Sequence, residues 1–142
     1  DVRRRVPPGW ALVRRPTGGG IVFHHQDLCV SLAWRHGQAP LPAKAKDQYA
    51  WIHGVIQEAL ANLQPLRLAG CADVRPSNSA FHERTCFTHP AGYDVLSADG
   101  RKLVGGALAL RRNATLYQGS IQGFGRNIEP LVADAFRRRF AA

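Results

Sequence analysis

The feature that most constrains this chain is a run of turn-punctuated strands in its second half. Tyr93–Ser97 and Arg101–Leu110 flank Ala98-Asp99-Gly100, and an Asp-Gly pair supplies the positive φ that a tight hairpin needs. A second turn at Arg112-Asn113-Ala114 leads into Thr115–Gln122. Consecutive strands joined so closely can only pair antiparallel. Upstream, Leu28, Val30, Leu32 and Trp34 alternate with Cys29, Ser31 and Ala33, a period-two strand. Two segments have helical spacing instead: Tyr49, Ile52, Ile56, Ala59, Leu60 and Leu63 within 44–64, and Ile128, Leu131, Val132, Ala135, Phe136 and Phe140 near the end, where Asn127 is the expected cap. Residues 66–70 read as a short strand. With no regular βαβ alternation, the expected class is α+β, a mixed and largely antiparallel sheet with flanking helices.

The chain has 142 residues, one domain's worth, and 45% are hydrophobic, enough for a core. No methionine is present, so residues 1–142 read as one catalytic-type domain that is incomplete at its amino terminus, with a sheet edge or apolar face left uncovered. Nineteen Lys and Arg against ten Asp and Glu give +9, which favours an anionic partner. Neither basic run, Arg3–Arg5 or Arg137–Arg139, accompanies a nucleic-acid module, so solvated charge is the expectation and no nucleic acid is implied. No apolar run is long enough to span a membrane. Three cysteines without paired spacing point to a reducing, cytoplasmic setting.

Three clusters carry possible chemistry. In Arg14-Arg15-Pro16-Thr17-Gly18-Gly19-Gly20, followed by Ile21-Val22-Phe23-His24, the glycines expose backbone N–H donors and the arginines add forked donors. That suits a nucleotide or acyl-phosphate cradle, although a flexible glycine turn between strands has the same composition. In Gly100-Arg101-Lys102-Leu103-Val104-Gly105-Gly106-Ala107, Lys102 opens a strand and Gly105 and Gly106 admit close approach. Lys102 is either a point charge for a carboxylate or phosphate oxygen or a solvated edge-strand lysine. In the long polar segment 72–92, Cys86 lies near His82, Arg84 and His89, a setting for a lowered pKa and nucleophilic attack. The alternative is an inert buried thiol, the reading given to Cys29 and Cys71 as well. The histidines show no paired metal-ligand spacing, so no metal set is expected, and His24 reads as a polar group lining the glycine loop.

Jointly these residues resemble the lipoate–protein ligase and octanoyltransferase branch of the biotin/lipoate protein ligase superfamily. The likeness rests on the Arg14–His24 stretch, Asp27-Leu28 entering a strand through Ser31-Leu32, Cys86-Phe87, Tyr93-Asp94-Val95, Gly100–Ala107 and Leu116-Tyr117-Gln118-Gly119-Ser120-Ile121, and it covers most of residues 10–122. It implies a tunnel beside the glycine loop, with Arg14, Arg15, Thr17, Gly18, Gly19, Gly20, His24, Gly105, Gly106 and Ala107 around the acyl head or nucleotide, and Lys102 as the essential lysine. Two activities follow. An octanoyltransferase would use Cys86 as acyl acceptor from an acyl-carrier protein and need no cofactor; a ligase would use ATP and Mg²⁺ through lipoyl-adenylate. Either would serve lipoyl domains of 2-oxoacid dehydrogenases or the glycine-cleavage H protein. A non-catalytic acyl- or nucleotide-binding module is the third possibility. The chain departs from the family at His25, where aspartate is frequent, and at Gln118, where histidine is frequent; the family's helix and strands upstream of the arginine pair have no counterpart here.

Overall fold

The computed structural model describes residues 2–37, 40–74 and 87–141. Five strands form one sheet: β1 (Leu28–Arg35), β2 (Leu66–Leu68), β3 (Val95–Ser97), β4 (Lys102–Leu110) and β5 (Ala114–Ile121). Two α-helices, α1 (Ala45–Leu60) and α2 (Glu129–Ala141), accompany it among the described residues. The spatial order is β1-β5-β4-β3-β2, and every pairing is antiparallel. The arrangement is α+β as the pattern predicts, but no parallel pair makes the described sheet mixed.

The hairpin turn is built as its sequence requires. Gly100 has φ 86°, and its N–H donates to the Ser97 carbonyl at 3.0 Å. The helix predicted to reach Gln64 stops at Leu60. Pro65 follows Gln64 directly, and a residue before proline is driven out of the helical region. The chain therefore turns over residues 61–64 and enters β2.

Alternation in β1 sends Leu28, Val30, Leu32 and Trp34 toward the core, while Cys29, Ser31, Ala33 and Arg35 face away from it. Both helices cover the same side. Ile52, Val55, Ile56 and Leu60 of α1 and Val132, Ala135 and Phe136 of α2 form one cluster with Val95, Leu103, Val104, Tyr117 and Ile121 of the sheet. Arg139 of the second basic run bonds Glu58, tying α2 to α1, and Arg137 bonds Asp134. No helix among the described residues is long and apolar enough to cross a membrane.

Tyr117 sets the packing at the sheet centre. Gly106 and Gly119 are cross-strand partners, and the Tyr117 ring folds over both. A Cβ placed on Gly119 would meet the Tyr117 hydroxyl at 2.1 Å, and one on Gly106 would meet the ring at 2.5 Å. Overpacking of this kind costs about 1–3 kcal/mol. Gly119→Ala is expected to lower stability by about that amount in equilibrium denaturant unfolding.

Candidate functional site

On the sheet side opposite the helices, the chain from Val6 to His24 covers a cavity of about 860 Å³. The Arg14, Arg15, Thr17 and Gly18–Gly20 positions line it from one side. Lys102, Gly105 and Gly106 of β4 and Gln118, Gly119 and Ser120 of β5 line it from the other. His24, Cys29 and Phe87 also border it. The two predicted motifs, separated by some eighty residues in sequence, thus meet at one space. Ala107 does not line it; it sits one step further along β4, opposite Gln118. Cys86 lies outside the described residues, as do His82 and Arg84.

Lys102 is not a solvated edge lysine. It opens β4, an interior strand, and its side chain is 7% exposed. Its ammonium pairs with the Asp94 carboxylate at 2.7 Å, and that carboxylate is fully buried. Such a pair needs its other valences met, and on the carboxylate they are. Asp94 Oδ2 accepts from the Ala91 N–H at 2.6 Å, and Oδ1 accepts from the Tyr49 hydroxyl at 2.6 Å. The Tyr49 oxygen in turn accepts the Gly106 N–H at 3.0 Å, because β3 is too short to pair that part of β4. The lysine stem runs over Gly105, where a Cβ would meet its Cε at 2.3 Å. A side chain at 105 would expel the lysine, which explains the glycine.

Behind this pair lies a second buried layer. The Tyr93 carbonyl can only accept, so His53 Nδ1 carries a proton and donates to it at 2.7 Å. His53 Nε2 is then the acceptor for the Tyr117 hydroxyl at 2.9 Å. The imidazole is neutral, and burial lowers its pKa to about 4. Burial and the nearby Asp94 charge raise both Tyr117 and Tyr49 above the ordinary phenol value. Tyr93 itself has φ 68°, a left-handed conformation costing a non-glycine residue about 1–2 kcal/mol. Its N–H bonds the Ala69 carbonyl at 2.9 Å, and the strained turn aims Asp94 at Lys102.

The loop is fixed to the sheet at two points. Arg15 Nη1 donates to Thr17 Oγ1 at 2.9 Å, and the Thr17 hydroxyl donates to Gln118 Oε1 at 3.1 Å. Gly19 turns there with φ 99°. Further along, Asp27 accepts from Ser120 Oγ and from the His25 N–H, while His24 Nδ1 lies 2.6 Å from Asp27 Oδ2. Burial pushes the Asp27 carboxyl up, but the bonds from Ser120 and His24 outweigh it and hold the pKa below the ordinary range. Cys29 is exposed rather than a buried inert thiol; burial of part of its surface and the Asp27 carboxylate push its pKa up. Cys71 is also exposed.

Sequence reasoning missed Asp94, Tyr49 and His53 as site residues. Tyr49 and His53 lie on the buried face of α1, where Tyr49 reads as one more apolar position. Asp94 carried a signal, an acid directly before the apolar pair Val95-Leu96, since an acid entering a buried strand needs a partner.

Residues 5–124 match the family described as biotin/lipoate A/B protein ligase. An octanoyltransferase LipM of Symbiobacterium thermophilum is 34% identical over 115 residues, covering 80% of this chain and 41% of that protein. One from Kyrpidia tusciae is 32% identical over 121 residues, with 80% and 42% coverage. The chain thus spans about two fifths of the length of these relatives. A T. acidophilum protein proposed to be a lipoate protein ligase, solved with bound lipoic acid, has the same fold: TM-score 0.65 at 20% identity, over 99% of this chain and 61% of that one.

Two expectations follow from the buried layer. Asp94→Asn strands the Lys102 ammonium and should cost about 3–5 kcal/mol in denaturant unfolding; adding Lys102→Met should recover part of that loss, because the charge is then gone too. The folded pKa of His53 lies below its unfolded value of 6.5, so between these values only the unfolded chain takes up the proton. Stability is therefore full above pH 6.5 and falls as pH drops toward 4, by about 3 kcal/mol at most. Thermal unfolding across that window should show the slope, and His53→Gln should flatten it.

Proposed function

The chain belongs to the biotin/lipoate A/B protein ligase family, and on that premise we propose that it carries the acyl-transfer site of an enzyme of protein lipoylation. That enzyme attaches an octanoyl or lipoyl group to a lysine of a lipoyl-carrier domain. The observation that carries this reading is the buried Lys102–Asp94 pair at a cavity shared with the arginine-glycine loop. An amine paired with a buried carboxylate there is an anchor for a carbonyl oxygen. The loop lies across from it and Arg14 and Arg15 border the same space, so a polar acyl head has donors on both sides. Leu12, Ile21, Val22 and Phe87 give the cavity an apolar lining suited to a medium-length acyl chain.

The reaction is a thioester exchange followed by aminolysis. The Cys86 thiolate attacks the carbonyl of an octanoyl thioester on an acyl-carrier protein. The carrier's carbon–sulfur bond breaks, the carrier thiolate leaves and takes a proton, and the acyl group remains on Cys86. The ε-amine of a lipoyl-domain lysine then attacks that carbonyl, forms the amide and returns the thiol. Lys102 stabilises the oxyanion in both steps. No ATP is needed, since exchanging one thioester for another is nearly isoenergetic and aminolysis of a thioester to an amide is downhill. Support for a role of Cys86 comes from its neighbour: the Phe87 ring sits 5.2 Å from the Lys102 ammonium.

Intact mass measurement after incubation with octanoyl-carrier protein tests this reading. An octanoyl adduct is expected on the chain, lost in Cys86→Ser and retained in Cys71→Ser. An adduct that survives Cys86→Ser, or transfer that occurs only with ATP and Mg²⁺, replaces the thioester route with the adenylate-forming ligase. Lys102→Met should slow transfer to a lipoyl domain by roughly two to three orders of magnitude, the usual loss for one oxyanion contact.

A further inference from the structure

At the edge of the same cavity, His24, Asp27 and Cys29 bring a nitrogen, an oxygen and a sulfur within 4.8 Å of one another. We propose that these three residues bind a borderline divalent cation, Zn²⁺ by their chemistry, as a three-ligand site with its fourth position open to the cavity.

The sequence spacing hides the site. Asp27 directly precedes β1 and Cys29 is the strand's second residue, so the two lie on one face, with the sulfur 3.8 Å from Asp27 Oδ2. His24 joins them only because the end of the glycine loop folds back over the strand. His24 Nδ1 lies 2.6 Å from Asp27 Oδ2 and 3.3 Å from Cys29 Sγ, and the sulfur lies 3.8 Å from Asp27 Oδ2. A tetrahedral zinc with ordinary bond lengths spaces its nitrogen and oxygen ligands about 3.3 Å apart, and sulfur about 3.5 Å from either. Two of the three edges are thus close to those of a loaded site. The third opens by about 0.7 Å once the hydrogen bond between His24 and Asp27 gives way to metal bonds.

The donor set selects the ion. Imidazole with a thiolate suits zinc and cobalt, whereas magnesium and calcium take oxygen ligands. The carboxylate is the anchor. Its side chain is 5% exposed, and Ser120 Oγ and the His25 N–H hold it in place, the outer hydrogen bonds that orient metal ligands. His24 is 51% exposed and Cys29 is exposed as well, so an ion can reach them from solvent. Both border the cavity, which puts the open position on the ligand side. Binding sends the thiol proton to solvent and moves the imidazole proton to Nε2. The ion would clasp the glycine loop to β1.

The test uses Co²⁺ as a spectroscopic probe and Zn²⁺ titration against a chromophoric chelator, on the whole chain. One ion per chain is expected, with tetrahedral cobalt bands and a thiolate-to-cobalt charge-transfer band. Cys29→Ser should abolish the charge-transfer band, and His24→Gln should weaken Zn²⁺ binding roughly tenfold or more. Cys71→Ser should leave both unchanged, and excess Mg²⁺ should not compete. Zn²⁺ should raise the melting temperature of the parent but not of Cys29→Ser. A cobalt spectrum without a thiolate band, a band that survives Cys29→Ser, or an affinity untouched by His24→Gln overturns the proposal.

Discussion

The ion pair between Lys102 and Asp94 is the constraint around which the rest of this molecule is arranged. Two charges removed from water cost several kcal/mol each unless every remaining valence is met. Meeting them draws on three separate segments. Tyr49 must reach down from α1, Gly106 must turn its N–H to that phenol, Ala91 must donate from the loop, and Gly105 must leave room for the lysine stem. The left-handed turn at Tyr93 is tolerated because its carbonyl and N–H are both engaged, by His53 and Ala69. A cation held this rigidly is charge that the fold has preorganised.

Strand β5 transmits that order to the loop. It pairs with β1 on one side and β4 on the other, and its side chains alternate between two tasks. Tyr117 faces the core, bonds His53 and closes over Gly106 and Gly119. Gln118 and Ser120 face the cavity and hold Thr17 and Asp27. The glutamine that departs from the family's frequent histidine therefore has a structural task, as the acceptor that ties the arginine-glycine loop to the sheet.

Lys102 borders the cavity from β4, and His24 and Cys29 border it near the start of β1. Gly105 and Ser120 are cross-strand partners between them, and Ser120 holds Asp27. The cavity, rather than the basic termini, is therefore the part of this chain of net charge +9 where charged and polar groups from distant segments meet.

The sequence by itself determined the strands, the hairpin at Asp99-Gly100, the two helices and the two motifs that meet at the cavity. Each is a local matter of side-chain period, turn stereochemistry or glycine content, and each is written in neighbouring residues. The three dimensions decided what those residues do. Whether Lys102 is a solvated edge lysine or a buried cation depends on Asp94 and Tyr49, eight and fifty-three positions away. Tyr49 reads as core from its helical spacing, because periodicity reports which face is buried and not which hydroxyl finds a carboxylate there. Cys29 reads as an inert strand thiol, since the sequence does not say which face of β1 the glycine loop leaves open. The Asp27 cluster escapes any search by spacing for the same reason: its third member arrives by a fold of the chain. Local patterns fix local geometry, but charge pairing and ligand sets are settled by which distant atoms share a low-dielectric or open space once the sheet has closed.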